Sequence, residues 1–340
     1  MILRKFIYFL SFTVLLVFLA IFSTYKDDSS NLFAERGDVF LKNLTAEINN
    51  INKISILGRE LDMELIKYKN KFIDPSGYPF KEGVWESFIT SLSLLRIEEK
   101  KTNDPDRLKE LNLISIDKFD KNDDVNDPAT KIVFYNKNNN VFKSILLGKI
   151  DRTVGGISGG QFGRFEDNFQ SYLLKGALRM PSGKSDWFQS LLFQTQKDDL
   201  VSVKLINERT VFEVENKEKK LKLKNNPDLN IDDEKLTQIS EIIESFYFYD
   251  VRKDNPNIEK KGPKLVFNLK EGFSINIKFV EKKKDSDEAW VLLSSVSKNN
   301  KSDDKSKEIN KKTTGFQFLA NINTSEVLNW RIKNLIKKKN

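Results

Sequence analysis

The sequence predicts an α+β protein: an N-terminal transmembrane helix, then two tandem related modules, each an antiparallel sheet with one main packed helix. Three observations carry this. A long uncharged segment opens the chain. Short alternating strands follow it. Those strands and their helix occur in the same order twice.

The opening segment runs from Phe6 to Tyr25, 20 uncharged residues between Lys5 and Lys26. At about 1.5 Å per residue, a helix of that length matches the roughly 30 Å hydrocarbon layer of a bilayer. A cleaved signal peptide is the alternative, but it needs small residues at its exit. Ile21, Phe22 and Tyr25 stand there instead, which favours an uncleaved anchor. Arg4 and Lys5 precede the segment, so the N-terminus is expected in the cytoplasm and the body outside. In a Gram-negative cell the protein is then a single-pass inner-membrane protein with a periplasmic body. Residues 1–26 form the cytoplasmic tip and anchor in this reading, and 27–50 a polar juxtamembrane linker.

The first module is expected over 51–198 and the second over 199–340. Ile54-Ser55-Ile56 begins one and Val201-Ser202-Val203 the other. Alternating charged strands come next: "LDMELIKY" from Leu61, and "TVFEVEN" then "KLKLK" from Thr210. A helix follows in each. Trp85, Phe88, Leu92 and Leu95 make one apolar stripe; Leu236, Ile239, Ile243 and Phe246 make the other, each 151 residues after its counterpart. Then come two hairpins, "TKIVFYN" with "FKSILLGK" and "PKLVFNLK" with "FSINIKFV", turning at "KNNN" and "KEG". Each copy closes with a Phe-Gln pair (Phe169-Gln170, Phe316-Gln317) and a Trp-bearing helix (Trp187, Trp330). Residues 297–312 are low-complexity and charged, and are expected to be a flexible loop.

Composition narrows the chemistry. The 340 residues include no Cys and no His. No thiolate nucleophile exists, and the side chain best suited to proton transfer near neutral pH is missing. A zinc or copper site lacks its usual ligands. The net charge is +8, but Lys is spread along the chain among Asp and Glu, so no nucleic-acid partner is expected.

The motifs fail on inspection. Gly183-Lys184-Ser185 ends like a phosphate-binding loop, yet the first Gly of such a loop would fall on Leu178, and Pro181 interrupts the cradle. The repeat offers another reading: Ser185 or Asp186 as an N-cap, matched by Thr324 or Ser325, before a helix that buries its Trp. "DKNDDVND" has Val125 where a calcium loop needs Gly and Lys131 where it needs Glu. "GGISGGQFG", residues 155–163, holds five of the 15 Gly. It reads as a strand connection, or as a partner-contact loop of Gly155, Gly156, Gly159, Gly160, Gly163 and Arg164. No catalytic residue, cofactor site or metal site is expected.

Three stretches resemble a known family. They are "GYP" (Gly77 to Pro79), "KTNDPDRLKELNL" (Lys101 to Leu113), and "LGK" (Leu147 to Lys149) followed by "GGQFGRFEDNFQSYLLKGALRMPSGKSDW". Together they look like the bacterial membrane-anchored domain of unknown function 4340, over roughly residues 37–205. Two places depart from the common pattern, Leu111-Asn112 and Phe162-Gly163-Arg164. The resemblance implies a single-pass protein with an extracytoplasmic body, often encoded beside ABC-type transport components of the gliding-motility kind. It supplies no catalytic residues. The expected function is a non-enzymatic auxiliary or scaffold protein engaging an ABC-type transport complex or another envelope protein. A periplasmic binding module for a glycan, lipid or peptide is the alternative, and an unrecognised hydrolase the third reading.

Overall fold

The structure, a computed structural model, describes residues 36–336 apart from 43, 70, 121, 124, 155–158, 218–219, 227–228, 230 and 299–302. The anchor expected at the N-terminus lies outside these residues. Among the described residues, no helix is long and apolar enough to cross a membrane.

Two antiparallel eight-stranded sheets form the body. The first contains β1 (Ile51–Leu57), β2 (Asp62–Tyr68), β3 (Lys71–Ile73), β4 (Arg96–Lys100), β5 (Thr130–Asn136), β6 (Val141–Asp151), β7 (Gly160–Phe165) and β8 (Ser171–Lys175), in the order β3-β2-β1-β5-β6-β7-β8-β4. The second contains β10 (Leu200–Asn207), β11 (Arg209–Lys217), β12 (Lys220–Leu223), β14 (Asp250–Lys253), β15 (Lys264–Leu269), β16 (Phe273–Lys282), β17 (Ala289–Ser297) and β18 (Phe316–Ala320), in the order β12-β11-β10-β15-β16-β17-β18-β14. Strand for strand the order is the same, so the sequence repeat is a repeat of topology. The irregularities repeat too. A bulge breaks the β1/β5 register between Ile51 and Lys53, and another breaks β10/β15 between Leu200 and Ser202.

The helix read from sequence packs in each copy, α2 (Val84–Ser93) and α3 (Asp233–Glu244), counting a short turn at Leu44–Glu47 as α1. The stripes read from sequence face the core: Phe88, Leu92 and Leu95 are buried, as are Ile239, Ile243 and Phe246. Asp232 caps α3 by accepting from the Glu234 N–H at 3.0 Å. Gly83 starts α2 in the left-handed region at φ 76°, with no side-chain cap.

Residues 37–40, within the stretch expected as a juxtamembrane linker, are packed. Gly37 N–H donates to the Ile97 carbonyl at 2.7 Å, Ile97 N–H to Asp38 at 2.8 Å and Phe40 N–H to Leu95 at 2.9 Å. Phe40 and Leu41 are 1% exposed. The same role falls in the second copy to β9 (Leu191–Gln194), which pairs with β13 (Ser245–Tyr247) just after α3. A segment lying across the helix exit thus precedes the first long strand of each copy, residues 37–40 in one and Leu191–Gln194 in the other.

The closing elements also realign. Lys81 N–H donates to the Trp187 carbonyl at 2.8 Å, beside a Phe80–Phe188 bridge. Asp232 N–H donates to the Leu335 carbonyl at 2.9 Å, beside an Ile231–Ile336 bridge. Trp187 therefore corresponds to Leu335, not to Trp330. The 3₁₀ turn Lys184–Trp187 corresponds to α6 (Ile332–Leu335), and Trp330 lies between α6 and α5 (Ile322–Leu328). Neither Ser185 nor Asp186 caps. Gly183 stands at that cap without a side-chain bond, whereas Asn321 caps α5, accepting from Thr324 N–H at 2.8 Å. The Phe-Gln pairs do not coincide: Phe169-Gln170 precede β8, and Phe316-Gln317 open β18.

The charged segment expected as a loop holds α4 (Asp303–Thr313) instead. Asp303 and Asp304 start it and Lys311 and Lys312 end it, matching the helix dipole. Ser306, Ile309 and Thr313 face inward, and Asn310 bonds both the N–H and the carbonyl of Ser295 at 2.8 Å.

One continuous apolar cluster runs through both copies, from Phe40 to Leu335. At its centre Tyr78, of the first module, meets Phe248, Phe316 and Phe318 of the second at ring-centroid distances of 5.4, 5.0 and 5.7 Å. Phe188 joins them, 5.8 Å from Tyr78 and 5.9 Å from Phe248.

Candidate functional site

In the glycine-rich stretch expected to contact a partner, Gly155 and Gly156 lie outside the described residues. Gly159, Gly160, Gly163 and Arg164 are all buried. A Cβ at Gly160 would sit 3.0 Å from the Leu174 carbonyl, and one at Gly163 would sit 2.8 Å from Leu174 Cδ1. Strand β7 lies under a cover made by residues 102–118. Leu108 and Leu113 of that cover pack on Leu146, Phe162 and Leu173 as a second, smaller core.

Polar side chains lock this cover down. Arg164 Nε donates to the Leu113 carbonyl at 3.1 Å, and its Nη1 to the carbonyls of Phe165, Glu166 and Asn168 at 3.0 to 3.1 Å. Burial pushes the guanidinium below its usual pKa, with Glu166 and Asp167 acting against it. Gln161 donates to the Gly148 carbonyl at 3.1 Å and accepts from Leu178 N–H at 2.8 Å. Gly148 itself is pressed to the cover: a Cβ there would fall 2.1 Å from the Leu111 carbonyl oxygen. Gln170 and Ser171 bond the carbonyls of Lys101 and Thr102 at 3.1 and 2.6 Å. The "KTNDPDRLKELNL", "LGK" and "GGQFGRFEDNFQ" stretches thus meet one another. Together they hold the cover on the sheet.

A model of a family described as a domain of unknown function, DUF4340, matches residues 71–264, more than half of the chain. The chain belongs to the DUF4340 family. The matched range covers most of the first copy and crosses the seam into the second as far as β15. No curated protein and no solved structure matches the chain.

The DUF4340 body has a cleft of about 820 Å³, lined by many charged side chains, where the two copies meet. The first copy supplies Glu60, Asp62, Glu64 and the Asp74–Ser76 turn; the second supplies β14, Lys283 and Trp290. Gly183, Lys184 and Ser185 line it as well. Lys184, the lysine of the phosphate-loop-like motif, instead pairs with Asp250 across the seam at 2.7 Å. Arg252 lies 4.2 Å from the Trp290 ring centre, donates to Gln317 at 2.7 Å and pairs with Glu281 at 2.6 Å.

Asp74 is the anomaly in this cleft. It is 2% exposed. Its Oδ1 accepts from Ser76 N–H at 2.8 Å and from the Ser76 hydroxyl, while its Oδ2 has no hydrogen-bond partner. A buried acceptor left unpaired costs about 1–3 kcal/mol, more when charged. Sequence reading passed over Asp74 because an Asp-Pro-Ser-Gly run reads as a turn, which it also is. The nearest signal was the Gly183-Lys184-Ser185 motif, which reaches the same cleft with a different role.

A second cleft of about 650 Å³ lies between β9, the Leu269–Phe273 hairpin and α4. Lys305 of α4 pairs with Glu271 across it at 2.6 Å. Among the described residues no group of three acidic side chains converges closely enough to hold a metal ion.

Proposed function

We propose that this chain is a membrane-anchored extracytoplasmic auxiliary or scaffold protein, accessory to an ABC-type transport complex of the envelope. The observation that carries the reading is the shared aromatic core at the seam. Tyr78, Phe188, Phe248 and Phe318 fix one copy on the other, so the body offers a partner two sheets in a constant orientation. A binding module with an apolar pocket between the copies is less well supported, because that space is filled by rings. The uncharged Phe6–Tyr25 segment supplies the anchor in this reading, and the family's usual gene setting, implied by the resemblance, supplies the partner class. The test is crosslinking in living cells, then purification of the full chain from mild detergent. Recovery of transport permease and ATPase subunits is the expected result. Recovery of the chain alone after efficient crosslinking would overturn the proposal.

A further inference from the structure

The cleft at the seam has walls of opposite charge. On the first-copy side, Glu60 and Asp62 have no ion-pair partner among the described residues, and the buried Asp74 Oδ2 has no partner at all. Glu64 is taken by Lys53 at 3.0 Å. On the second-copy side, Lys253 is likewise unpaired, beside the stacked Arg252. Asp250 is occupied by Lys184. Arg252 is paired with Glu281 and Lys283 with Glu288 at 2.9 Å, which leaves Lys253 as the unpaired cation of this wall among the described residues. A simple anion would face the carboxylate wall, and a simple cation would face Lys253. Only a ligand bearing both signs satisfies both walls. The backbone narrows the class further. Strand β14 ends its sheet, with β18 as its strand partner, and it lines the cleft along its whole length; the Val251 N–H on it is taken by the Asp250 carboxylate at 2.7 Å. An open strand edge between charged walls is the geometry that accepts an extended peptide.

We propose that the seam cleft binds a short free peptide, with Asp74 receiving its terminal ammonium and Lys253 its terminal carboxylate, along the edge of β14. This site is independent of the scaffold reading: either stands if the other fails.

The experiment is calorimetric titration of the full-length chain in detergent with tri-alanine. N-acetylated tri-alanine, C-amidated tri-alanine and soluble phosphoethanolamine are the comparison probes. Free tri-alanine should bind saturably, with acetylation and amidation each weakening it about tenfold or more. Asp74→Asn keeps the Oδ1 acceptor that Ser76 uses, so the turn survives and an unchanged melting temperature verifies the fold. It should abolish the difference between the free and acetylated probes. Lys253→Gln, an exposed change, should abolish the difference between the free and amidated probes. Absence of saturable binding by tri-alanine up to ~10 mM, weaker than almost any specific site, overturns the proposal. So does binding unaffected by both variants, and so does binding of phosphoethanolamine alone, which would make the site a lipid headgroup site.

Discussion

At the scale of single residues, Trp187 shows how a motif misleads. Its neighbours Gly183-Lys184-Ser185 draw attention as a phosphate loop, yet Lys184 makes a partly exposed ion pair with Asp250, and surface pairs are usually worth about 0–1 kcal/mol. Trp187 is fully buried, with its ring 5.4 Å from Phe88 and 5.9 Å from Phe80. Its Nε1 has no hydrogen-bond partner. Two effects therefore oppose each other in a substitution. Truncation to Ala empties a large volume and is expected to cost about 3–5 kcal/mol. Trp187→Phe loses less volume and also removes the unpaired donor, so it should cost less than half as much. Urea denaturation of the two variants measures both. A Phe variant as unstable as the Ala variant would mean that the indole nitrogen is bonded in solution.

At the scale of elements, hydrophobic periodicity was the readable signal. The two helical stripes and the paired hairpins stand where alternation and three-to-four spacing put them. What the sequence hid has physical causes. Helix α4 escaped notice because only Ser306, Ile309 and Thr313 face inward, and one apolar residue makes no stripe. Its anchor is polar: Asn310 replaces a strand partner for Ser295. Asn310→Ala is expected to cost about 1–3 kcal/mol, because it leaves a donor and an acceptor of β17 unpaired beneath the helix. Hydrogen exchange would show it first at the Ser295 amide, with the first copy unaffected. Protection unchanged at Ser295 would mean that α4 does not stay docked. The Trp187–Trp330 pairing failed for another reason. Identical letters at similar distances from a helix outweighed register, whereas the backbone bridges Phe80–Phe188 and Ile231–Ile336 define it. The glycine-rich stretch was legible as backbone in close approach, but not as approach within the chain itself. The cleft was illegible altogether, since Asp74 and Lys253 come together only when the two copies dock.

At the scale of the whole molecule, the question is whether two copies make one folding unit. The shared core says they do, and Tyr78 reports on it. The ring is 4% exposed and lies among phenylalanines of the other copy, and burial pushes its hydroxyl up to about 12. An unfolded tyrosine titrates near 10. Between those values the unfolded chain has lost the proton and the folded chain has kept it. Tyr78 therefore makes no pH-dependent difference below about pH 10, and its contribution to stability falls as pH rises from about 10 towards 12, by about 2–3 kcal/mol in total. Lysines also titrate in that range, so the measurement is a comparison. Unfolding free energies of the wild type and Tyr78→Phe, taken from urea titrations at steps from pH 8 to 12, should run parallel below about pH 10 and diverge above it, with the wild type falling faster. If the copies share one core, the loss should appear in a single transition that takes both down together. Parallel curves throughout would place the Tyr78 hydroxyl in water. A loss confined to the first of two separate transitions would mean that the seam opens before the modules unfold, and that the body is two hinged parts rather than one.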